Sequence, residues 1–518
     1  MSYHAYFEYL DINGDRLFTM VALPYERGCF PTVVSRSPYV KNTVDYAEDE
    51  LTESFLRAQE KLLERGYAVV FQHCKGCGKS TGAFVPYVHE REDGLALRQW
   101  IRHKEFYNGE LFLLGSSYTA SLHYATAPFE ADIRGAIFEV QDSERYRLWY
   151  RNGQMRKGHA NWHFGLYHNN VLKEKRFNMQ SFAELPLANL STRAFGAQAT
   201  DFEEMLEARF PFHAFWRTRN GGQDARDAVR DANIPILLTT GYNDYYVGGV
   251  FQMWRDMSEE TKSQSALLVS PYNHGDGYDA NRGLAFPMGK RAEQFGAYQL
   301  DWLDHIRKGT PISHEKGVIT YYRAFENKWE SDFYKKPVKI AEIGLGNETR
   351  SFEYDPRFPT AFAPEGCLAQ EANSERSFIR IYTNPSKEDV FVKGQMSAQL
   401  SVSSTAADTS FYLRISIKKA DCTYVLRHDI TSLSYQLGSY RENTAVKLKL
   451  QFDEHAFLLK KGECLQIDIA STDDNTYVSH TNHAGEYALQ TDTRIAINTV
   501  HLKDSYLYLP IERDKDSE

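Results

Sequence analysis

Ser117, Asp244 and His274 are the residues whose types and settings suit nucleophilic acyl transfer. Ser117 stands in Leu111-Phe-Leu-Leu-Gly115-Ser116-Ser117-Tyr118-Thr119-Ala120. Four apolar residues read as a buried strand, and the small residues after them read as a sharp turn into a helix. A serine at the tip of such a turn has its hydroxyl aimed outward. The same serine is equally placed to cap the helix, so its role turns on partners. Ser116 is adjacent, but Ser117 lies two residues after Gly115, the spacing that relieves crowding in the turn. A serine hydroxyl is a weak nucleophile until a base takes its proton. Asp244, in Thr239-Thr-Gly241-Tyr-Asn-Asp244, directly follows the apolar run Ile234–Leu238. His274, in Ser270-Pro271-Tyr-Asn-His274-Gly275, directly follows Ala266–Val269. Both therefore fall on loops at strand C-terminal ends, where open α/β sheets put their active sites. In this arrangement His274 accepts the Ser117 proton, and Asp244 fixes the imidazole tautomer and stabilises the imidazolium. Removing such a unit lowers the rate by about a million-fold.

An acyl-transfer site also needs donors for the oxyanion. The backbone N–H of Tyr118, next after the nucleophile, is one. The second is expected in the loop after an early strand, Arg36-Ser-Pro38-Tyr39-Val-Lys41, where the Tyr39 phenol is available either to donate or to pack. The elements that position these groups follow from hydrophobic patterning. Up to about residue 140 strand-like and helix-like segments alternate: Thr32–Ser35, a helix over Ser54–Arg65 ended by Gly66, Tyr67–Phe71, a helix over Gly94–Ile101, Leu111–Leu114 and Ala136–Phe138. Such alternation predicts a parallel sheet with helices on both faces. Residues 141–235, rich in Arg, Asn, His and Trp, predict a helical insertion that includes Phe202–Arg209. The sheet resumes with Ile234–Thr240 and Ala266–Ser270, and Ala292–Ile306 reads as an amphipathic helix carrying Phe295, Leu300, Trp302 and Leu303. From about residue 336 the runs Ser397–Ser403, Phe411–Ile417, Val446–Leu450 and Cys464–Ile469 alternate apolar and polar residues, which predicts an antiparallel sandwich or jelly roll.

Several motifs coincide with one family. They are Arg36-Ser-Pro-Tyr39-Val-Lys41, Gly115-Ser-Ser117-Tyr118-Thr-Ala120, Gly241-Tyr-Asn-Asp244 and Pro271-Tyr-Asn-His274-Gly275. Trp302-Leu-Asp-His305 with Lys308-Gly309, Tyr321-Tyr322 followed by Trp329, and Asp408 before Phe411-Tyr-Leu-Arg-Ile also fit. Nearly end to end, the chain resembles the CocE/NonD family of α/β-hydrolases, which groups cocaine esterase, α-amino-acid ester hydrolases and X-Pro dipeptidyl-peptidases. The resemblance implies an α/β-hydrolase core (1–140 and 236–335), a helical cap over the pocket (141–235) and a C-terminal β jelly roll (336–518). It implies Ser117, His274 and Asp244 as triad, with the Tyr39 hydroxyl and the Tyr118 amide as oxyanion hole. Three stretches depart from the family. Its Q-D-x-R-G is here Gln72-His73-Cys74-Lys75-Gly76, which suggests one compensated ion pair exchanged for other packing. Ala120 replaces a helix-packing glycine, and Leu303 replaces a phenylalanine.

The expected activity is hydrolysis of a carboxylic ester or amide through an acyl-enzyme on Ser117, with an X-Pro dipeptidyl-peptidase-type activity as the alternative. Recognition of a free α-amine requires a carboxylate cluster, for which Asp142, Glu144, Glu203, Glu204 and Asp276 are available. The extra N-terminal helices of the family's dipeptidyl-peptidases are not seen here, which favours the esterase or acylase side. A different class, an inactive core whose jelly roll binds a carbohydrate or a partner, conflicts with the intact Ser–Asp–His set. Of the three cap tryptophans Trp149, Trp162 and Trp216, most are expected to be structural and a minority to line the pocket.

Other functions are disfavoured. A length of 518 residues predicts several domains. A net charge of −9 without a dense basic run argues against nucleic acid. No segment approaches the roughly 18 apolar residues of a membrane helix, and the N-terminus lacks a secretory signal. Six scattered cysteines suit reduced thiols, and so a cytoplasmic protein. Gly76-Cys-Gly78-Lys79-Ser80-Thr81 resembles a phosphate loop, but the first glycine would be residue 73, which is His. His73, Cys74 and Cys77 lack the second pair of a zinc ribbon, so thiols in a tight turn are expected. Neither a cofactor nor a metal is called for. The partner expected is a small ester, amide or short peptide, and the oligomeric state stays open.

Overall fold

The computed structural model describes residues 3–40, 47–171, 182–196, 198–218, 224–274, 291–312, 314–332, 334, 339–369 and 376–512. The chain opens with a hairpin, β1 (His4–Ile12) and β2 (Asp15–Leu23), turned by Asn13-Gly14 with both residues at positive φ. Asn-Gly is the preferred pair for such a turn because both central residues must be left-handed. The alternating segment that follows comprises β3 (Phe30–Ser37), α1 (Glu48–Glu64), β4 (Ala68–His73), α2 (Glu90–Arg102), β5 (Tyr107–Ser116), α3 (Tyr118–Tyr124) and β6 (Ile133–Glu139). The helical stretch then holds α4 (Arg145–Trp149), the two-residue strands β7 (Tyr150–Arg151) and β8 (Gln154–Met155), α5 (Lys157–Val171), α6 (Leu190–Phe195), α7 (Thr200–Glu207), α8 (Phe215–Thr218) and α9 (Ala225–Arg230). The sheet resumes with β9 (Ile236–Asn243), α10 (Val247–Asp256), α11 (Glu259–Gln264), β10 (Ala266–Asn273), α12 (Arg291–Lys308), β11 (Ile319–Arg323) and β12 (Lys328–Asp332).

These strands form one ten-stranded sheet in the order β1-β2-β4-β3-β5-β6-β9-β10-β11-β12. The expected parallel sheet is corrected to a mixed one. From β4 to β11 neighbours run parallel, while β1, β2 and β12 pair antiparallel at the two edges. Helices do cover both faces, and the strand period of two explains how. On β5, Phe112 points toward α1 and α12, meeting Leu62, Leu63, Trp302 and Leu303. Leu111 and Leu113 point the other way, toward Leu97 and Ile101 of α2, Tyr124 of α3 and Phe251 of α10. Helix α1 starts earlier than its apolar spacing suggested, and Gly66, at φ 84, follows its last turn.

Beyond residue 339 an eight-stranded and a four-stranded antiparallel sheet pack over one apolar core. Leu413, Ile415 and Ile417 from the smaller sheet meet Leu400, Val402 and Leu450 from the larger. Buried charges tie this unit to the helical stretch. Arg151 Nε bonds Asp429 Oδ1 at 2.6 Å and Arg151 Nη1 reaches Asp453 Oδ2 at 2.9 Å.

Candidate active site

The parallel strands β3, β5, β9 and β10 deliver the four key side chains to one end of the sheet. Because β3 is hydrogen-bonded to β5, the loop carrying Tyr39 lies beside the turn carrying Ser117. Because β9 is hydrogen-bonded to β10, Asp244 and His274 leave the sheet side by side. Gly241 is required for this closeness: a Cβ there would sit against the carbonyl oxygen of Tyr272, where the β9/β10 register shifts.

Ser117 occupies a strained backbone conformation, φ 54 and ψ −128. Its amide donates to the Glu139 carbonyl at 2.9 Å, and its own carbonyl accepts from Ala120 N at 3.0 Å, which starts α3. Gly115 lets the turn close, since a Cβ on it would lie 2.5 Å from the Thr119 oxygen and 2.6 Å from the Ala120 nitrogen. Strain of this sort is worth roughly 1–3 kcal/mol and persists only where surrounding bonds enforce it. The result is an outward Ser117 Oγ at 3.0 Å from His274 Nε2. His274 Nδ1 lies 3.2 Å from Asp244 Oδ2 and 3.3 Å from Oδ1. Asp244 is fully buried, and its Oδ1 also accepts from the Tyr246 amide at 2.8 Å. Tyr245 stacks on the His274 ring at 4.8 Å and Tyr246 meets it edge-on at 5.1 Å, so rings on two sides hold the imidazole plane.

Tyr39 is 49% exposed, and its hydroxyl accepts the Trp162 indole N–H at 2.9 Å. With that lone pair engaged, the phenolic proton is free to point elsewhere. Desolvation raises the Tyr39 pKa, so the phenol keeps its proton. As the first residue of α3, Tyr118 has an amide that the helix leaves unpaired. Its side chain is rooted below the turn. The Tyr118 hydroxyl donates to Glu90 Oε1 and accepts from the Tyr87 amide at 3.0 Å. Glu90 in turn faces the buried Arg36 guanidinium, which also meets Asp93 Oδ2 at 3.3 Å and Gln72 Oε1 at 3.0 Å.

A cavity of about 470 Å³ opens beside Ser117, within the usual range for small-molecule sites. Tyr87, Tyr245, Tyr246, Trp162, Gln141 and His159 join Tyr39, Ser117 and His274 in lining it. Of the three tryptophans, Trp162 lines the cavity, Trp149 packs against His159 and His163, and Trp216 donates to the Ala208 carbonyl. Tyr87, Tyr245, Tyr246 and His159 had no local sequence signal as lining; they meet there only because separate loops converge. No carboxylate lines the cavity among the described residues. Asp142 is held by Arg147 at 2.8 Å, Glu144 pairs with Arg226, and Glu203 accepts from Ser191 Oγ at 2.6 Å. Glu204 lies on α7; Asp276, like Lys41 and Gly275, falls outside the described residues.

The Gln72–Gly76 departure needs a correction. Lys75 keeps a buried cation there, 3.3 Å from Asp15 Oδ2 and 3.7 Å from Asp93 Oδ1. His73 is neutral: burial and then Lys79 lower its pKa to about 4, and its Nδ1 accepts from the Lys79 amide at 3.2 Å. Cys74 and Cys77 are buried free thiols, and no group of three or more His, Cys, Asp or Glu could hold a metal among the described residues. Ser80, in the phosphate-loop-like run, instead bonds the His73 carbonyl and the Phe18 amide.

A mostly parallel sheet with a serine on the strained strand-to-helix turn, and an acid and a histidine after later strands, defines an α/β-hydrolase. Residues 13–276 match the sequence model of the X-Pro dipeptidyl-peptidase (S15 family), and residues 294–507 match that of the X-Pro dipeptidyl-peptidase C-terminal non-catalytic domain. The chain belongs to this family, in its CocE/NonD branch, and is a serine hydrolase. It is 22% identical over 564 residues to cocaine esterase of Rhodococcus sp. (strain MB1 Bresler), with 96% of each chain covered. Two solved structures share its fold at 16% identity. An aminopeptidase from the marine sediment archaeon Thaumarchaeota archaeon has a TM-score of 0.83, covering 99% of this chain and 97% of that one. An α-amino acid ester hydrolase has a TM-score of 0.81, covering 98% and 97%. No helix among the described residues is long and apolar enough to cross a membrane.

Proposed function

We propose that Ser117, His274 and Asp244 are nucleophile, base and orienting acid in the hydrolysis of uncharged carboxylic esters. The observation that carries this is the unbroken chain from Ser117 Oγ through the His274 ring to the buried Asp244 carboxylate. Ser117 Oγ attacks the ester carbonyl carbon while its proton passes to His274 Nε2. Asp244 accepts the Nδ1 proton's hydrogen bond and stabilises the imidazolium. The oxyanion takes hydrogen bonds from the Tyr39 hydroxyl and the Tyr118 amide. Collapse expels the alcohol, protonated by His274, and leaves an acyl-Ser117. Water, deprotonated at Nε2, then attacks the acyl carbon and releases the acid.

In this reading residues 141–235 form the cap, 1–140 and 236–335 the catalytic unit, and 336–518 a jelly roll. Six cysteines, none of them in a disulfide, support a reducing, cytoplasmic setting. The family's name favours a second reading, an X-Pro dipeptidyl-peptidase-type exopeptidase. The neutral described lining supports the ester reading, because an α-ammonium group taken out of water needs a paired carboxylate. Fluorophosphonate labelling and hydrolysis of p-nitrophenyl esters against Xaa-Pro-anilides test both. Labelling lost in Ser117→Ala and faster ester turnover are expected. Equal labelling of Ser117→Ala would remove Ser117 as nucleophile, and faster anilide turnover would favour the exopeptidase.

A further inference from the structure

Asn243 precedes Asp244 and Asn273 precedes His274, and the two asparagines face each other at the last rung between β9 and β10. The acid and the base therefore leave the sheet from one rung, and whatever fixes that rung fixes their alignment. The ladder is irregular just below it. From the pair Ser270–Gly241 to the pair Asn273–Asn243, β10 advances three residues while β9 advances two. An extra residue of this kind bends its strand and leaves backbone groups without ladder partners. The Pro271 carbonyl lies in that stretch and accepts from Asn243 Nδ2 at 2.7 Å, so one side chain ties the strands where the ladder lapses. The same amide also reaches outside the hydrolase sheet. Tyr424, on the strand Thr423–Ser432 of the C-terminal unit, accepts from Asn243 Nδ2 at its hydroxyl, 3.0 Å away. A carbonyl only accepts, so the amide nitrogen must face Pro271, and its two N–H groups serve both partners at once. Gly366 closes the amide in, since a Cβ there would lie 2.6 Å from Asn243 Cγ. Tyr424 is itself buried, with Phe325 edge-on to its ring at 5.4 Å. On the same strand, buried Arg427 donates to the Tyr242 carbonyl and, at 2.7 Å, to the Glu454 carbonyl.

We propose that Asn243 is a positioning residue for the triad, and that the C-terminal unit acts on turnover through the Tyr424 hydroxyl that holds it. The inference rests on the Ser117–His274–Asp244 reading and adds what keeps its acid and base in line. No residue separates Asn243 from Asp244, so a shift of the rung passes directly to the carboxylate that meets His274 Nδ1 at 3.2–3.3 Å. Misplacing a catalytic group by about 1 Å costs about a hundredfold in rate. Spoiling the acid outright costs about ten-thousandfold, which sets the ceiling for any residue that works through it. Acylation and deacylation both draw on His274, so they slow together, and the loss falls on kcat rather than on KM.

The test is steady-state hydrolysis of p-nitrophenyl butyrate by the full-length protein, with thermal melting to confirm that each variant is folded. Asn243→Ala is expected to lower kcat by about ten- to a hundredfold while KM stays within about twofold. In an Asp244→Ala background the same substitution should cost less than about twofold, because the alignment it supplies is no longer used. Tyr424→Phe should lower kcat by about threefold or more in the wild type and by nothing further in Asn243→Ala. A kcat within about threefold of wild type in Asn243→Ala, a loss confined to KM, or an equal loss in both backgrounds would overturn the proposal. Full activity in Tyr424→Phe would remove the C-terminal unit from it. If Asn243→Ala does not fold, Tyr424→Phe, which lacks only one oxygen, carries the comparison: a kcat loss present in the wild type and absent in Asp244→Ala supports the proposal, and any other pattern overturns it. Asp244→Ala by itself separates the two levels. An unchanged kcat in that variant sinks the triad reading, whereas a large loss there beside a near wild-type Asn243→Ala sinks only this inference.

Discussion

Replacing Tyr39 by phenylalanine removes one hydroxyl at the edge of the cavity, and the structure sets how much that should matter. The Tyr39 oxygen already accepts the Trp162 N–H at 2.9 Å, which leaves its proton for the oxyanion. Losing one preorganised oxyanion donor raises the barrier by about 2.7–4 kcal/mol. Tyr39 is 49% exposed, so water can partly replace the phenol, and the lower end applies. Tyr39→Phe should therefore reduce kcat by about a hundredfold. KM should stay nearly constant, because the bond forms only as charge develops in the transition state. Stability should change by less than about 1 kcal/mol, since the Trp162 N–H lies close enough to solvent to find water. The assay is steady-state hydrolysis of p-nitrophenyl butyrate with thermal melting of both proteins. A fall in kcat of less than threefold, with Ser117 still labelled by a fluorophosphonate, would refute the assignment; so would a loss confined to KM.

Three further expectations follow from the same geometry. Ser117→Gly and Ser117→Ala should both be inactive, yet the glycine variant should be the more stable by about 1 kcal/mol in chemical denaturation, because φ 54 strains alanine and not glycine. Equal stabilities would show that the turn carries no strain. Gly241→Ala should push the β10 end away from β9 and part His274 from Asp244, lowering kcat more than a hundredfold; a near wild-type rate would show that the loop accommodates a Cβ. Burial alone would raise the Glu365 carboxyl, but Arg427 and His428 outweigh it and bring the pKa from 4.5 to about 2. A group with a depressed folded pKa contributes stability above its unfolded value and loses it as pH falls, here between about 4.5 and 2. The contribution is about 3 kcal/mol. Glu365→Gln should be destabilised at pH 7 by about that much and should show a flatter loss toward pH 2 in urea titrations; an unchanged slope would remove Glu365 as its source.

Much of the site was readable because its signals are local. A strand followed by small residues and a serine, and an acid and a histidine just past two later strands, are patterns of neighbouring residues. The antiparallel C-terminal strands were equally plain, since apolar-polar alternation is a two-residue period. Asn13-Gly14 marks the β1–β2 hairpin, and with it the antiparallel edge that makes the sheet mixed. The Gln72–Gly76 segment is legible only in three dimensions. Whether Lys75 still carries an ion pair depends on Asp15 and Asp93, far from it in sequence. The same holds for Glu90, whose grip on the Tyr118 hydroxyl could be found only in three dimensions.

The sequence by itself determined the chain order of Ser117, Asp244 and His274, each just past a strand, the helical stretch between two halves of the sheet, and the β-rich C-terminal region. These are written in short-range periodicity and in turn chemistry, which act over a few residues. Tertiary structure alone decided that Ser117 lies 3.0 Å from His274 and His274 3.2–3.3 Å from Asp244, and that neutral rings from four separate segments surround them. Such distances depend on how strands register and how loops pack against one another, a collective property of the folded chain that no short segment encodes.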